Sequence, residues 1–213
     1  MRTEDLIERL AREPTLSSMS LTSAWRIAAV AAVIIVFARL WMSSGFRPAL
    51  NVAAETPRFL FKIVVGTALA VGAYRSLRVL SRPEGQSSST LLPLALVFIL
   101  ISSGVVAELA LAPLSGGSFA KLVGINPLAC VSIIVLLGIG PLAIFIHVLR
   151  KGAPQHPAIA GATAGLLAGG IASGLFALNC PNNSALFVAV WYSIAIAALA
   201  CLGAVAAWRY ARW

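Results

Sequence analysis

Two cysteines carry the clearest reactive chemistry in this sequence. The hydropathy pattern places Cys130 at the outer end of the fourth apolar segment and Cys180 in the outer connection before the sixth, on the same, oxidising side of a membrane. Two such thiols can form a disulfide or capture a soft metal ion, and both outcomes depend on conditions outside the cytoplasm. A purely structural disulfide and two unpaired, small apolar side chains are the alternatives that stay open.

A second candidate is the N-terminal stretch TEDLIERLARE, which has the signals of a short helix. Thr3 is placed to cap this helix, and Asp5 lies in its first turn, where the helix dipole favours an acid. Leu6, Ile7 and Leu10 share one face, which can dock into a groove of a protein partner. A helix of about ten residues is marginal alone in water, so we expect it to order on binding. The alternatives are a helix lying on the bilayer and a plain leading segment.

Ionisable residues within the apolar segments form a third group, because charges are costly inside a bilayer. Glu108 is the one acid there, and it can pair with Lys62 or Arg39 or serve a proton or ion pathway. His147 and His156 flank one loop with no third ligand nearby, so we interpret them as interfacial residues. The sequence has no recognisable catalytic triad, phosphate-binding loop, zinc-protease motif or paired carboxylate, so we predict no enzyme and no cofactor.

Composition identifies the elements that must position these residues. The chain is 60% hydrophobic and 11% charged with a mean hydropathy of +0.93, whereas about a quarter of the residues in soluble domains are charged. Several stretches run to about 20 nearly uncharged residues, the length of a helix that crosses about 30 Å of hydrocarbon. Backbone groups in lipid must bond within their own segment, so we predict an all-α polytopic membrane protein.

Six transmembrane helices are predicted, and they form one domain over residues 25–213 behind a cytoplasmic arm of residues 1–24. The arm carries several acids and no apolar run, so we do not interpret it as a signal peptide. The predicted spans are Trp25–Met42, Phe59–Leu77, Leu91–Leu111, Pro127–Leu149, Ala158–Leu178 and Ala185–Trp208.

Positive charge predicts the orientation of these spans. Of the 16 Lys and Arg, eleven fall on the side of the N-terminus and five on the opposite side. Because Lys and Arg near helix ends are retained in the cytoplasm, we predict that the N and C termini are both cytoplasmic. The net charge of +9 is scattered along the edges of the spans, so we interpret it as a determinant of topology and predict no direct binding of nucleic acid.

Glycine spacing marks the fifth span as a packing helix. Gly161, Gly165 and Gly169 recur at intervals of four, followed by Gly170 and Gly174. Small residues on one face let a neighbouring membrane helix approach closely. We therefore expect the fifth span to be central, and we favour packing within the chain over self-dimerisation through this face.

Four stretches of the chain together point to a known family. They are TEDLIERLA at the start, PRFLFKIVVGTALA in the second span, RKGAP before the fifth, and ALNCPNNSALFVAVWY leading into the sixth. The set resembles the NrsF family of bacterial anti-sigma factors over nearly the whole chain. Its most specific part is Cys180 with Pro181, followed by Ser184 and by Trp191 with Tyr192.

The resemblance implies a six-span protein of the bacterial inner membrane with a cytoplasmic partner. That partner is an extracytoplasmic-function sigma factor, which the family holds at its cytoplasmic face and releases under heavy-metal or oxidative stress. The paired outer cysteines of the family match Cys130 and Cys180, which become the possible metal or redox sensor. The arm with Asp5, Leu6, Ile7 and Leu10 becomes the site that binds the sigma factor.

Two other functions compete with this hypothesis. A small ion-coupled carrier would use Glu108 as its coupling site and the glycine-rich fifth span as its moving helix, although the spans show no evident inverted repeat. An accessory subunit would only pack against a larger membrane complex. For both, as for the anti-sigma factor, the lipid bilayer is the surrounding partner.

Overall fold

The computed structural model describes residues 20–44, 56–81, 92–111, 124, 126–182 and 184–211. Helices account for most of these residues and none of them forms a β-strand, which confirms the predicted all-α class. The predicted binding arm with Asp5, Leu6, Ile7 and Leu10 lies outside the described residues.

The helices follow the six predicted spans. One predicted span, Pro127–Leu149, matches at both ends, and the others differ by about a turn or less. Five helices of the described chain are long and apolar enough to cross a membrane, while the apolar stretch of the third is the shorter Ala95–Ala110. In chain order they are α1 (Leu21–Ser44), α2 (Pro57–Leu80), α3 (Leu92–Leu111), α4 (Pro127–Leu149), α5 (Pro157–Phe176) and α6 (Ala185–Tyr210).

Proline begins three of these helices. Pro57, Pro127 and Pro157 each occupy the first turn, where the N–H that proline lacks would have no partner within the helix. The φ angle fixed by the proline ring also suits a helix. These prolines therefore set where α2, α4 and α5 start, and Pro127 sets the position of Cys130 in the first turn of α4.

The helix α5 lies at the centre of the bundle and packs against α6, α2 and α4. Residues of its membrane-length window are 72% buried, against 22–44% for the other four spanning helices. Its glycines allow backbone contact, because a Cβ at Gly66 of α2 would lie 2.6 Å from the Cα of Gly174. On the other side, Gly161 of α5 meets the Gly203 carbonyl of α6. These contacts confirm that the fifth span is central.

The remaining helices lie around this centre. α1 packs mainly against α4, and α3 packs against α2 at the edge of the bundle. Many large apolar side chains of α1 and α3 are exposed, such as Ile34 and Phe98. An outward apolar surface of this kind is what a helix presents to lipid.

A short π-helical segment, Val188–Tyr192, interrupts α6 near its start. The extra residue in a π turn changes the direction in which the following side chains point, and such turns are frequent at functional sites. Here Tyr192 is buried among aromatic rings, with its ring centroid 6.4 Å from those of Phe176 and Phe187.

At the opposite end of the bundle, a buried hydrogen bond joins α1 to the end of α2. The indole Nε1 of Trp25 donates to Ser81 Oγ at 3.2 Å, and Trp25 and Ser81 are both buried. The backbone of Ser81 also meets Gly152 in the turn after α4, where a Cβ would collide with the Ser81 carbonyl. The two helix ends and this turn therefore form one tightly packed contact.

Candidate functional site

The structure brings the two predicted cysteines together. The Sγ atoms of Cys130 and Cys180 lie 3.8 Å apart, both thiols are free and both are buried. Cys130 sits in the first turn of α4, with its N–H bonded to the Asn126 carbonyl. Cys180 follows α5, and its N–H donates to the Phe176 carbonyl at 3.0 Å. One backbone bond on each side therefore holds the thiols face to face.

Lys62 of α2 holds the backbone that carries Cys180. Its Nζ donates to the carbonyl of Cys180 at 3.1 Å and to that of Asn182 at 2.8 Å, and it lies 5.9 Å from the centre of the Phe59 ring. A lysine near the end of a membrane span usually reaches toward the membrane surface, whereas Lys62 is 1% exposed. The loop carbonyls explain the difference, because they supply the partners that water would otherwise provide.

Glu108 of α3 binds the start of α6. Both carboxylate oxygens accept from the Ser184 hydroxyl at 3.0 Å, and one also accepts from the Leu186 N–H at 3.0 Å. These contacts place the carboxylate at the positive end of a helix dipole. The suggested pairing with Lys62 or Arg39 stays a prediction. Glu108 thus caps α6 from a neighbouring helix, which gives it a structural role.

Tyr192 completes the immediate surroundings of the thiols. Its hydroxyl is buried and forms no hydrogen bond of standard geometry with the described part of the chain. It lies close enough to Cys180 to act on the charge of that thiol. The sequence motif contained Tyr192, but only the π turn in α6 explains why its side chain points toward the cysteines.

These neighbours make Cys180 more acidic than an ordinary thiol. The hydrogen bond with Cys130 is the largest cause, and with the Lys62 charge and the Tyr192 hydroxyl it lowers the pKa of Cys180 to about 6. Burial opposes this shift, because it penalises the charged form. Since the thiolate is the nucleophile and the metal ligand, Cys180 is prepared for either reaction.

Two thiols at this distance suit a soft metal ion. Thiolates that share one tetrahedral ion with bonds of about 2.3 Å lie about 3.8 Å apart, which equals the observed Sγ separation of 3.8 Å. No cluster of three or more His, Cys, Asp and Glu side chains occurs in the described part of the chain. His147 lies in the last turn of α4, about 25 Å along the helix from Cys130, so neither it nor the adjacent His156 completes the pair.

The remaining cysteine is not part of this site. Cys201 is exposed on α6. The structure brings Cys130, Cys180, Lys62 and Tyr192 together at one end of the bundle. The predicted binding arm lies outside the described residues and stays a prediction.

Comparison with known proteins gives matches over the whole chain. The NrsF family, described as negative regulator of sigma F, matches residues 10–213. The anti-sigma-F factor NrsF of Caulobacter vibrioides is 30% identical over 218 residues, and the probable anti-sigma-F factor NrsF of Azospira oryzae is 28% identical over 219 residues. Each alignment covers 100% of this chain and 100% of the relative. No solved structure matches the chain.

Proposed function

The chain belongs to the NrsF family of negative regulators of sigma F, and from this premise we propose that it is a membrane-bound anti-sigma factor controlled by its outer thiols. It holds an extracytoplasmic-function sigma factor at the cytoplasmic face of the bacterial inner membrane. Reaction of Cys130 and Cys180 with a heavy-metal ion or an oxidant releases the sigma factor.

The observation that carries this proposal is the buried pair of free thiols, 3.8 Å apart. Capture of a soft cation such as Cd²⁺ forms two metal–sulfur bonds and displaces the proton of each thiol that is still protonated. Oxidation forms one S–S bond, transfers two electrons to the oxidant and releases the remaining thiol protons. Both reactions therefore convert an outer chemical signal into a new bond between α4 and the loop before α6.

Formation of a disulfide must change helix packing. A disulfide requires a sulfur separation of about 2.05 Å, so the two sulfurs must approach from 3.8 Å. Cys130 is fixed near the start of α4, and Cys180 lies a few residues before α6. Drawing them together displaces the outer ends of α4 and α6, and packed helices respond to a displacement by adopting a second arrangement.

The N-terminal arm is the part of the chain that binds and releases the sigma factor. Its acid Asp5 and its apolar face of Leu6, Ile7 and Leu10 provide a helix-in-groove contact for a sigma factor. The arm leads directly into α1, which starts at Leu21. A change of about 5.5 kcal/mol in the free-energy difference between the binding and the releasing arrangement would reverse a 99:1 ratio of the two. A smaller change already releases a large share of the sigma factor.

Deletion of the arm tests the output side. We expect the full chain to co-purify with its sigma factor from bacterial membranes, and a chain lacking residues 1–20 to lose that partner. A matched control replaces residues 83–89, in the predicted loop between α2 and α3, with Gly and Ser and keeps the sigma factor. Equal recovery with and without the arm would remove Asp5, Leu6, Ile7 and Leu10 from the binding site.

A further inference from the structure

We propose that α2 carries the state of the thiol pair across the bundle to the start of α1, with Lys62 and Ser81 as positioning residues at its two ends. This inference rests on the proposed sensing function and names the helix through which it acts. The anti-sigma family relationship alone does not indicate such a route.

The outer end of the route is the contact between Lys62 and the Cys180 loop. Two backbone carbonyls, those of Cys180 and Asn182, accept from Lys62 Nζ within 3.1 Å. Because Lys62 is only 1% exposed, water cannot replace a lost carbonyl at little cost. When Cys180 is drawn toward Cys130, its carbonyl moves with it, and Lys62 is pulled along.

The middle of the route is an unbroken helix. α2 runs from Pro57 to Leu80, and Ser81 continues its backbone hydrogen bonds. Lys62 and Ser81 are separated by about 28 Å of helix. The contact with α5 is backbone against backbone at Gly66 and Gly174. The atoms nearest to Gly66 are backbone atoms of Gly174 and Gly170, so a small shift of α2 along α5 moves backbone past backbone at this point.

The inner end of the route is the hydrogen bond from Trp25 to Ser81. Its length is 3.2 Å, and both side chains are buried. Ser81 also packs against Gly152 in the turn after α4. Trp25 lies in the second turn of α1, directly after the predicted arm. A movement of Ser81 therefore reaches the helix from which the arm extends.

Fluorine NMR of the full chain tests this route without the sigma factor. The protein is labelled with 5-fluorotryptophan in lipid nanodiscs, and the Trp25 resonance is assigned by its absence in Trp25→Phe. Diamide then oxidises the thiol pair by taking two electrons and two protons, and loss of titratable thiol confirms the reaction. We expect the Trp25 resonance to shift on oxidation, and to stay unchanged in Cys180→Ser.

Two variants test the two ends of the route. Lys62→Met removes the hydrogen bonds to the Cys180 loop at the outer end. Ser81→Ala removes the hydrogen bond from Trp25 at the inner end, far from the thiols. In both we expect full thiol oxidation without the Trp25 shift, whereas Ser103→Ala, whose hydroxyl bonds within its own helix, keeps the shift. If Lys62→Met fails to fold, the Trp25 resonance of oxidised Ser81→Ala alone decides whether the route exists.

The outcomes separate this route from the proposed function. A Trp25 resonance that does not move in the oxidised wild type overturns the route, and so does a shift that persists in Ser81→Ala. Neither result tests whether reaction of the thiols releases a sigma factor. Conversely, a protein that keeps its sigma factor after thiol oxidation contradicts the proposed function, even if Trp25 responds.

Discussion

At the scale of single residues, the reactivity of Cys180 comes from its neighbours. The Cys130 thiol shares a hydrogen bond with Cys180, Lys62 supplies a positive charge and Tyr192 adds a hydroxyl, and together these groups favour the thiolate of Cys180. Buried cysteines in apolar surroundings are inert, whereas cysteines beside cations react. Cys180 is buried and yet belongs to the second class, which supports the proposed sensing role of this pair.

Acidification will slow the reaction of Cys180. Its pKa is lowered from 9.0 to about 6, so the thiolate persists at neutral pH and is lost as the pH falls through about 6. We expect the modification rate of the Cys180 peptide, followed by mass spectrometry with a small uncharged thiol reagent, to stay level from about pH 8 to 7 and to drop below about 6. Purified Cys201→Ser protein avoids labelling of the exposed third thiol.

The same measurement on Lys62→Met provides the comparison. Without the ammonium group we expect the drop in rate to begin at a higher pH. A wild-type rate that already declines between about pH 9 and 8, as for an ordinary thiol, would contradict the account of Cys180.

At the scale of elements, α5 is the helix on which the others assemble. Its glycines let α2 and α6 approach to backbone contact, so close packing and dispersion stabilise these two helix pairs. This also explains why small changes at its glycines will have large effects.

Gly66→Ala will destabilise the bundle. The new Cβ would lie 2.6 Å from Gly174 Cα and 2.8 Å from its N, and neither backbone atom can turn aside. We expect the free energy of unfolding, measured by denaturant titration in mixed micelles, to fall by about 1–3 kcal/mol. Gly140→Ala is the matched control, because its Cβ meets only Ile35 at 3.7 Å. An equal loss in both variants would show that the α2–α5 contact is not the cause.

Removal of the Glu108 carboxylate will weaken the start of α6. Glu108→Ala deletes the acceptor for Ser184 and Leu186, and we expect the free energy of unfolding to fall by about 1 kcal/mol. Ser103→Ala in the same helix leaves α6 untouched and should be nearly neutral. A neutral Glu108→Ala together with ion uptake into proteoliposomes that Glu108→Gln abolishes would instead favour the carrier hypothesis.

At the scale of the whole molecule, the bundle separates two contacts. The thiol pair lies where α4 and α6 begin, and the Trp25–Ser81 contact lies where α1 begins and α2 ends. The orientation predicted from positive charge places the first contact outside the cytoplasm and the second inside. A signal at the thiols must therefore cross the length of the helices to reach the arm.

Hydropathy predicted the helices well, because a membrane span is defined by its own length and composition. The proximity of Cys130 and Cys180 was indicated by topology alone, since both fall at the same ends of neighbouring helices. The surroundings of the pair could not be predicted in this way. Lys62 and Glu108 bind backbone groups from distant parts of the chain, and Tyr192 depends on a π turn that apolar periodicity does not reveal.

Release of the sigma factor by cadmium tests the central claim most directly. The full chain is reconstituted in nanodiscs with its fluorescently labelled sigma factor, Cd²⁺ is added, and the released fraction is measured by anisotropy. We predict that the wild type and Cys201→Ser release the sigma factor, while Cys130→Ser and Cys180→Ser bind it equally well and retain it. Release from Cys130→Ser or Cys180→Ser at the wild-type cadmium concentration would contradict the claim that this pair is the sensor.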